Sequence, residues 1–215
     1  FVVAEASMGA GRGHDPVLGV VLGTGVGGGW VSRGAPWGGH GGLAGELGHV
    51  VVDPHGLPCG CGGVGCLETI ASGPAIVAAA LRGWWQGRTP ALRELCEGDV
   101  ERVDASLVAE AARRGDVDCA AALDHAARAL GMTLASACVL IAPSLIVVGG
   151  GILGAWDRMG PTVSDVFDRH THVFVASRPQ IVPALLGADA GALGAALAAQ
   201  GNHGGDAVGP IDPST

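Results

Sequence analysis

The stretch "PVLGVVLGTGVGGG" (residues 16–29) runs an apolar segment straight into five glycines broken only by Thr24 and Val26. Residues 16–23 have the pattern of a short buried strand bounded by turn formers. The glycines at 23, 25 and 28 satisfy G-x-G-x-x-G, but a dinucleotide-binding loop must open a helix at once. The residues that follow are glycines, β-branched residues and turn formers through Gly39, and they cannot start one. The segment therefore reads as strand, glycine turn, strand, with the second strand over 29–36. Such a turn bares successive backbone N–H groups and lets a phosphate approach unobstructed, and Thr24 adds a hydroxyl. A tight hairpin with no ligand is the alternative at this point.

Working outward, residues 49–53 ("HVVVD") read as a third strand. From Ser72 the pattern turns helical: "SGPAIVAAALRGWW" has a serine cap and Pro74 in its first turn. "VDASLVAEAARRG" offers Asp104 or Ser106 as cap and Gly115 as stop. An alanine-rich helix follows and ends before Pro143. Residues 144–151 ("SLIVVGGG") are a strand running into Gly149, Gly150 and Gly151, then come a helix from about Ala155, the strand "QIVPALL" and a closing helix, "DAGALGAALAAQ". Strands alternating with helices imply an α/β layered fold. Glycines at the carboxyl end of a strand in such a sheet lie where ligands bind.

The 215 residues suit one large domain or one and a half small ones, and a hydrophobic content of 48% supplies a sizeable core. The formal net charge is −8 and the longest basic run is Arg113–Arg114, so a nucleic-acid surface in this segment is not expected. No apolar run is long enough for a membrane span, and the expected setting is cytoplasmic and reducing. Residues 201–215 are polar, glycine- and proline-rich and aperiodic, which predicts disorder.

Half of the six cysteines fall within eight positions. His49, Cys59, Cys61 and Cys66 form H-x9-C-x-C-x4-C, a donor set that suits tetrahedral zinc in a closed, structural site. Disulfides compete poorly: Cys59 and Cys61 are too close, three thiols leave one odd, and the setting is reducing. Reactive thiols would need a nearby basic residue, and none lies between Cys59 and Cys66. Cys96, Cys119 and Cys138 read as inert core thiols, and His55 as a solvated turn residue. An ion would staple a loop with little core of its own and fix Glu46 and Glu68, which flank it. A carboxylate accepts two hydroxyl hydrogen bonds at once, which suits a sugar. His49 can use one ring nitrogen for metal and present the other outward. The alternative is that both glutamates are ordinary surface charges.

In this order the motifs "GAGRGHD" (9–15), "LGTGVGGG", "GGLAGELGHVVVDPHGLPCGCGGVGCLETIASGP", "LIVVGGGI" and "LGADAGALGAA" resemble the ROK family of sugar kinases and sugar-responsive repressors. The resemblance implies an actin/hexokinase-like ATPase fold built of RNase H-like α/β domains. Residues 1–15 would then be the edge of an N-terminal domain and 16–200 a C-terminal sugar- and ATP-binding domain. It implies that Glu46, His49 and Glu68 hold the sugar, that His49, Cys59, Cys61 and Cys66 hold zinc, and that Gly23, Thr24 and Gly25 form a phosphate loop. Gly149, Gly150 and Gly151 would form the adenosine loop. Two departures stand out: Ala188 replaces the asparagine of the family's G-N-D-A-G, and the first phosphate loop and catalytic aspartate are absent. Asp15, ahead of Pro16, reads as a turn residue.

The resemblance thus implies phosphorylation of a hexose, glucose favoured, by ATP with Mg²⁺, in a protein forming dimers or tetramers. In the family an aspartate takes the hydroxyl proton; here it would fall before Phe1, so residues 1–215 alone are expected to be inactive. A sugar-responsive repressor with an upstream helix-turn-helix is the alternative expectation.

Overall fold

The computed structural model describes residues 1–174 and 177–201. Helix α1 (Val2–Met8) leads into a hairpin of β1 (Val17–Leu22) and β2 (Val26–Ser32), and a turn leads on to the two-residue β3 (Ala35–Pro36). Five helices follow: α2 (Glu68–Ala71), α3 (Gly73–Trp85), α4 (Pro90–Leu95), α5 (Ala105–Arg113) and α6 (Val117–Ile141). Strand β4 (Leu145–Gly149), α7 (Trp156–His170), β5 (Gln180–Pro183) and α8 (Ala190–Gly201) complete the order. The strands make one mixed sheet, β3-β2-β1-β4-β5. The first three are antiparallel, whereas β4 lies parallel to β1, with Val17 opposite Leu145 and Val21 opposite Gly149, and β5 parallel to β4. Three meandering strands followed by two parallel ones reached through helices is the RNase H-like arrangement that the resemblance implied.

Alternation along the strands explains the layering. Leu18, Val20, Leu22, Ile146 and Val148 face a large core shared with α3, α5, α6 and α7. Val17, Leu145 and Val147 face the other way, onto Phe1, Val2, Ala6 and Ala10. Helix α8 covers this second side with α1.

The caps follow the sequence reading. Ser72 Oγ accepts from the Ala75 amide at the start of α3, and Asp104 Oδ1 accepts from the Leu107 amide at the start of α5. Asp15 is a turn residue, its Oδ1 accepting from the Arg33 amide. Cys96, Cys119 and Cys138 are buried, and His55 is exposed.

Two expectations need correction. The second strand starts earlier than residue 29, at Val26, and breaks at Arg33 and Gly34, whose φ angles are 54° and 76°. Residues 49–53 are not a third strand: Leu47–His49 is a 3-10 turn, and beyond it only an isolated bridge pairs Val51 with Cys66. The reason is steric. A Cβ on Gly48 would lie 2.1 Å from the Val26 carbonyl oxygen, and one on Gly45 would lie 2.7 Å from that of Gly28. The chain crosses the face of β2 instead of lining its edge, so its amides turn to the cysteine loop, as in Val52 N–H to Gly65 C=O at 2.8 Å. Of the tail expected to be disordered, residues 202–215 lie outside the described residues.

Candidate functional site

The loop between His49 and Cys66 folds back on itself through backbone bonds from Cys59 N–H to Gly63 C=O and from Gly65 N–H to Leu57 C=O, each 2.8 Å. Gly65, at φ 71°, is the tightest point, since a Cβ there would overlap the Asp53 carbonyl at 1.5 Å. These turns gather the four donors that the spacing singled out. The His49, Cys59, Cys61 and Cys66 ligand atoms all lie within 4.8 Å of one another. Cys59 Sγ is 3.6 Å from His49 Nδ1, and Cys61 Sγ is 3.7 Å from Cys66 Sγ.

Tetrahedral zinc with Zn–S bonds of about 2.3 Å places its ligand sulfurs about 3.8 Å apart. The donor set and its spacing therefore fit a structural zinc ion. Without metal, burial pushes the Cys66 thiol up to about 12, with the neighbouring thiols adding to the effect. Cys61 is lowered by the Gly63 backbone hydrogen bond first and by the Cys59 and Cys66 side chains next. A dication binds thiolates, so it must displace protons here.

With Nδ1 of His49 turned to the cysteines, Nε2 points outward and lies 3.8 Å from Glu46 Oε2. A histidine ligated through Nδ1 carries its proton on Nε2 and donates from there. Glu46 is the more exposed of the two, its side chain 66% accessible against 34%. Glu68 opens α2 two residues past Cys66, and its Oε2 accepts from the Val26 amide at 2.9 Å. Gly48 packs against that same Val26. His49, by way of Gly48, and the Glu68 carboxylate therefore meet at the first residue of β2.

Gly23, Thr24 and Gly25 form the turn between β1 and β2, closed by a 2.9 Å bond from Gly23 N–H to Gly25 C=O. The second glycine turn, Gly149–Gly151, sits beside the first because β1 and β4 are parallel neighbours. Gly150 has φ 94°, and a Cβ there would be 2.1 Å from the Leu22 carbonyl oxygen; only glycine lets the two turns come this close. Both lie at the carboxyl ends of their strands, where α/β sheets bind ligands. A cavity of about 460 Å³ opens beside the hairpin, lined by Gly23, Thr24, Pro74, Val77, Val103 and Ala105, among others.

Sequence reasoning missed the carboxylate of Glu5. It is fully buried and accepts from the Ala10, Leu185 and Leu186 amides at 2.8, 3.3 and 2.8 Å. No motif marks it, because its partners are up to 181 positions away.

Against known proteins, the ROK family model matches residues 1–202. The chain belongs to the ROK family. It is 39% identical over 197 residues to a glucokinase of Thermotoga maritima, an alignment covering 91% of this chain and 62% of that protein. The chain thus spans about three-fifths of the length of that curated relative. Among solved structures it is similar to a ROK family glucokinase from Streptomyces griseus in complex with glucose and AMPPNP. The TM-score is 0.80 at 38% identity, covering 92% of this chain and 64% of that one. It is also similar to a ROK family transcriptional regulator, a homologue of the E. coli MLC protein. There the TM-score is 0.79 at 30% identity, covering 92% of this chain and 49% of that one. The fold is the actin/hexokinase-like ATPase fold. No helix among the described residues is long and apolar enough to cross a membrane.

Proposed function

We propose that the full-length protein is an ATP-dependent hexose kinase, with glucose the favoured substrate and glucose 6-phosphate and ADP the products. The observation that carries this reading is the meeting of a sugar-type donor and acceptor set with a phosphate-type turn at one end of the sheet. The Glu68 carboxylate touches the residue that follows the Gly23–Gly25 turn. Phosphoryl transfer is mainly a matter of positioning two substrates and stabilising charge, and the arrangement supplies both.

In this reading Glu46 and Glu68 accept from sugar hydroxyls and His49 Nε2 donates to one. The turn amides and Thr24 face the phosphates, and Gly149–Gly151 with the adjoining cavity takes the adenosine. Zinc on His49, Cys59, Cys61 and Cys66 is structural, holding the loop and the histidine tautomer. Mg²⁺ enters with ATP. A sugar hydroxyl attacks the γ-phosphorus, the bond to the ADP oxygen breaks, and the hydroxyl proton passes to an aspartate that, by likeness to the family, lies outside residues 1–215. In this reading the protein works in a reducing cytoplasm, at the entry of glucose into glycolysis, as a homo-oligomer; six free cysteines support the reducing setting. Likeness to glucokinases supports glucose, while likeness to N-acetylmannosamine kinases at 34% identity keeps amino sugars in the test.

The test is a sugar panel with the full-length protein, following ADP release. ATP-dependent turnover fastest on glucose is expected; no ADP release with any hexose overturns the reading. The second reading, a sugar-responsive repressor, is supported by the similarity to the transcriptional regulator. It predicts a helix-turn-helix encoded upstream and sugar-dependent release of DNA without ADP formation.

A further inference from the structure

Glu68 has two carboxylate oxygens with different surroundings. Oε2 accepts from the Val26 amide, whereas Oε1 has no hydrogen-bond partner among the described residues. The contact with the hairpin is close: a Cβ on Gly25 would lie 2.6 Å from Oε2. Five residues on, the Gly73 amide donates to the Gly23 carbonyl at 2.8 Å. The turn is therefore held at both ends by the α2–α3 junction, at Gly23 through Gly73 and at Val26 through Glu68.

Glu68 is itself tied to the cysteine loop. The Thr69 amide and hydroxyl both reach the Cys66 carbonyl, at 3.0 and 2.7 Å, and the Leu67 amide donates to the Val50 carbonyl at 2.9 Å. A turn of glycines loses more conformational freedom on ordering than any other sequence. A hydrogen-bond acceptor held on one of its amides offsets part of that loss before the nucleotide arrives. The Val26 amide is consumed by the clamp, but those of Thr24 and Gly25 have no partner among the described residues and remain for a phosphate.

We infer that Glu68 is a positioning residue for the nucleotide as well as a sugar contact: its carboxylate clamps the glycine hairpin in the form that receives the phosphates. This inference rests on the kinase reading above. It assigns the two oxygens separate tasks, Oε2 to the hairpin and Oε1 to the sugar.

The experiment measures binding of a non-hydrolysable ATP analogue, without sugar, to the full-length protein and its Glu68→Ala, Glu68→Gln and Glu68→Asp variants. Thermal melting and zinc content are checked in each. Glu68→Gln keeps a carbonyl acceptor within reach of Val26 and should bind the analogue within about twofold of wild type while losing sugar affinity. Glu68→Ala removes the clamp and Glu68→Asp shortens it by one methylene; both should weaken analogue binding by at least about fivefold, the low end of measured couplings between sites. Glu68→Asp keeps the charge and serves if the alanine variant does not fold. Analogue affinities of Glu68→Ala and Glu68→Asp equal to wild type overturn the inference and leave the kinase reading standing, as does a glutamine variant as weak as alanine. A wild type that binds no analogue overturns both.

Discussion

Cys61 is the exposed member of a donor set in which Cys59 and Cys66 are buried and His49 is half-buried, and its thiol lies against both Cys66 and Gly63. Replacing it removes one of four ligands without opening a cavity in the core. Cys61→Ser is expected to lower bound zinc from one per chain to well below half, read by elemental analysis after dialysis, and to lower the melting temperature. Structural zinc sites contribute folding free energy directly, so full zinc in this variant sinks the assignment. The four clustered donors were legible because donor type and spacing are written along the chain. Which nitrogen of His49 faces the cysteines was not, since it depends on how the 3-10 turn at Leu47–His49 aims the ring. Nor was the pairing of Glu68 with Val26, 42 positions apart.

Elements meet through side chains that local pattern does not reveal. The long α6 crosses α7 where Gly131 has no side chain, and a Cβ there would lie 2.8 Å from the Val163 carbonyl oxygen and 2.9 Å from Val166 Cβ. Helix propensity favours alanine over glycine by about 1 kcal/mol. Overpacking against backbone costs about 1–3 kcal/mol and should win. Gly131→Ala is expected to lower the denaturant midpoint; a raised midpoint means that the helices have room to part. At its other end α6 is tied to the turn after α3: Arg88 Nε and Nη2 donate to Asp118 Oδ2 and Oδ1 at 2.8 and 2.9 Å. The Arg88 hydrogen bond holds the Asp118 carboxyl below its usual range, against the opposing effect of burial. A depressed folded pKa contributes stability above the unfolded value of about 3.9, lost as pH falls through the lower folded value. The stability gap between wild type and Asp118→Asn should therefore be present at pH 6 and shrink below pH about 4. A gap unchanged at low pH means that the ion pair is not its source.

For the whole molecule, the N-terminal segment and the chain's far end share one buried carboxylate. Glu5 binds the Ala10 amide beside it and the Leu185 and Leu186 amides beyond β5. A Cβ on Gly9 would strike that carboxylate at 2.1 Å. Hydrogen bonds to charged groups contribute about 1.5–3 kcal/mol. Glu5→Gln, which can turn only one acceptor oxygen toward three donors, should destabilise by about 1–3 kcal/mol in urea unfolding; a neutral result means that water serves those amides as well. By itself the sequence determined the α/β alternation, the glycine hairpin, the helix caps and which four donors form the candidate metal site. Each of these is a matter of local periodicity, backbone permissiveness or donor type within a few positions. Only the tertiary structure decided that residues 45–48 press on β2 and that 50–53 pair with the cysteine loop instead of forming a strand, that the two glycine turns abut, that Glu68 grips the hairpin and that Glu5 closes the sheet's second side. Those depend on which distant surfaces exclude one another, and steric fit between segments far apart in sequence leaves no local trace.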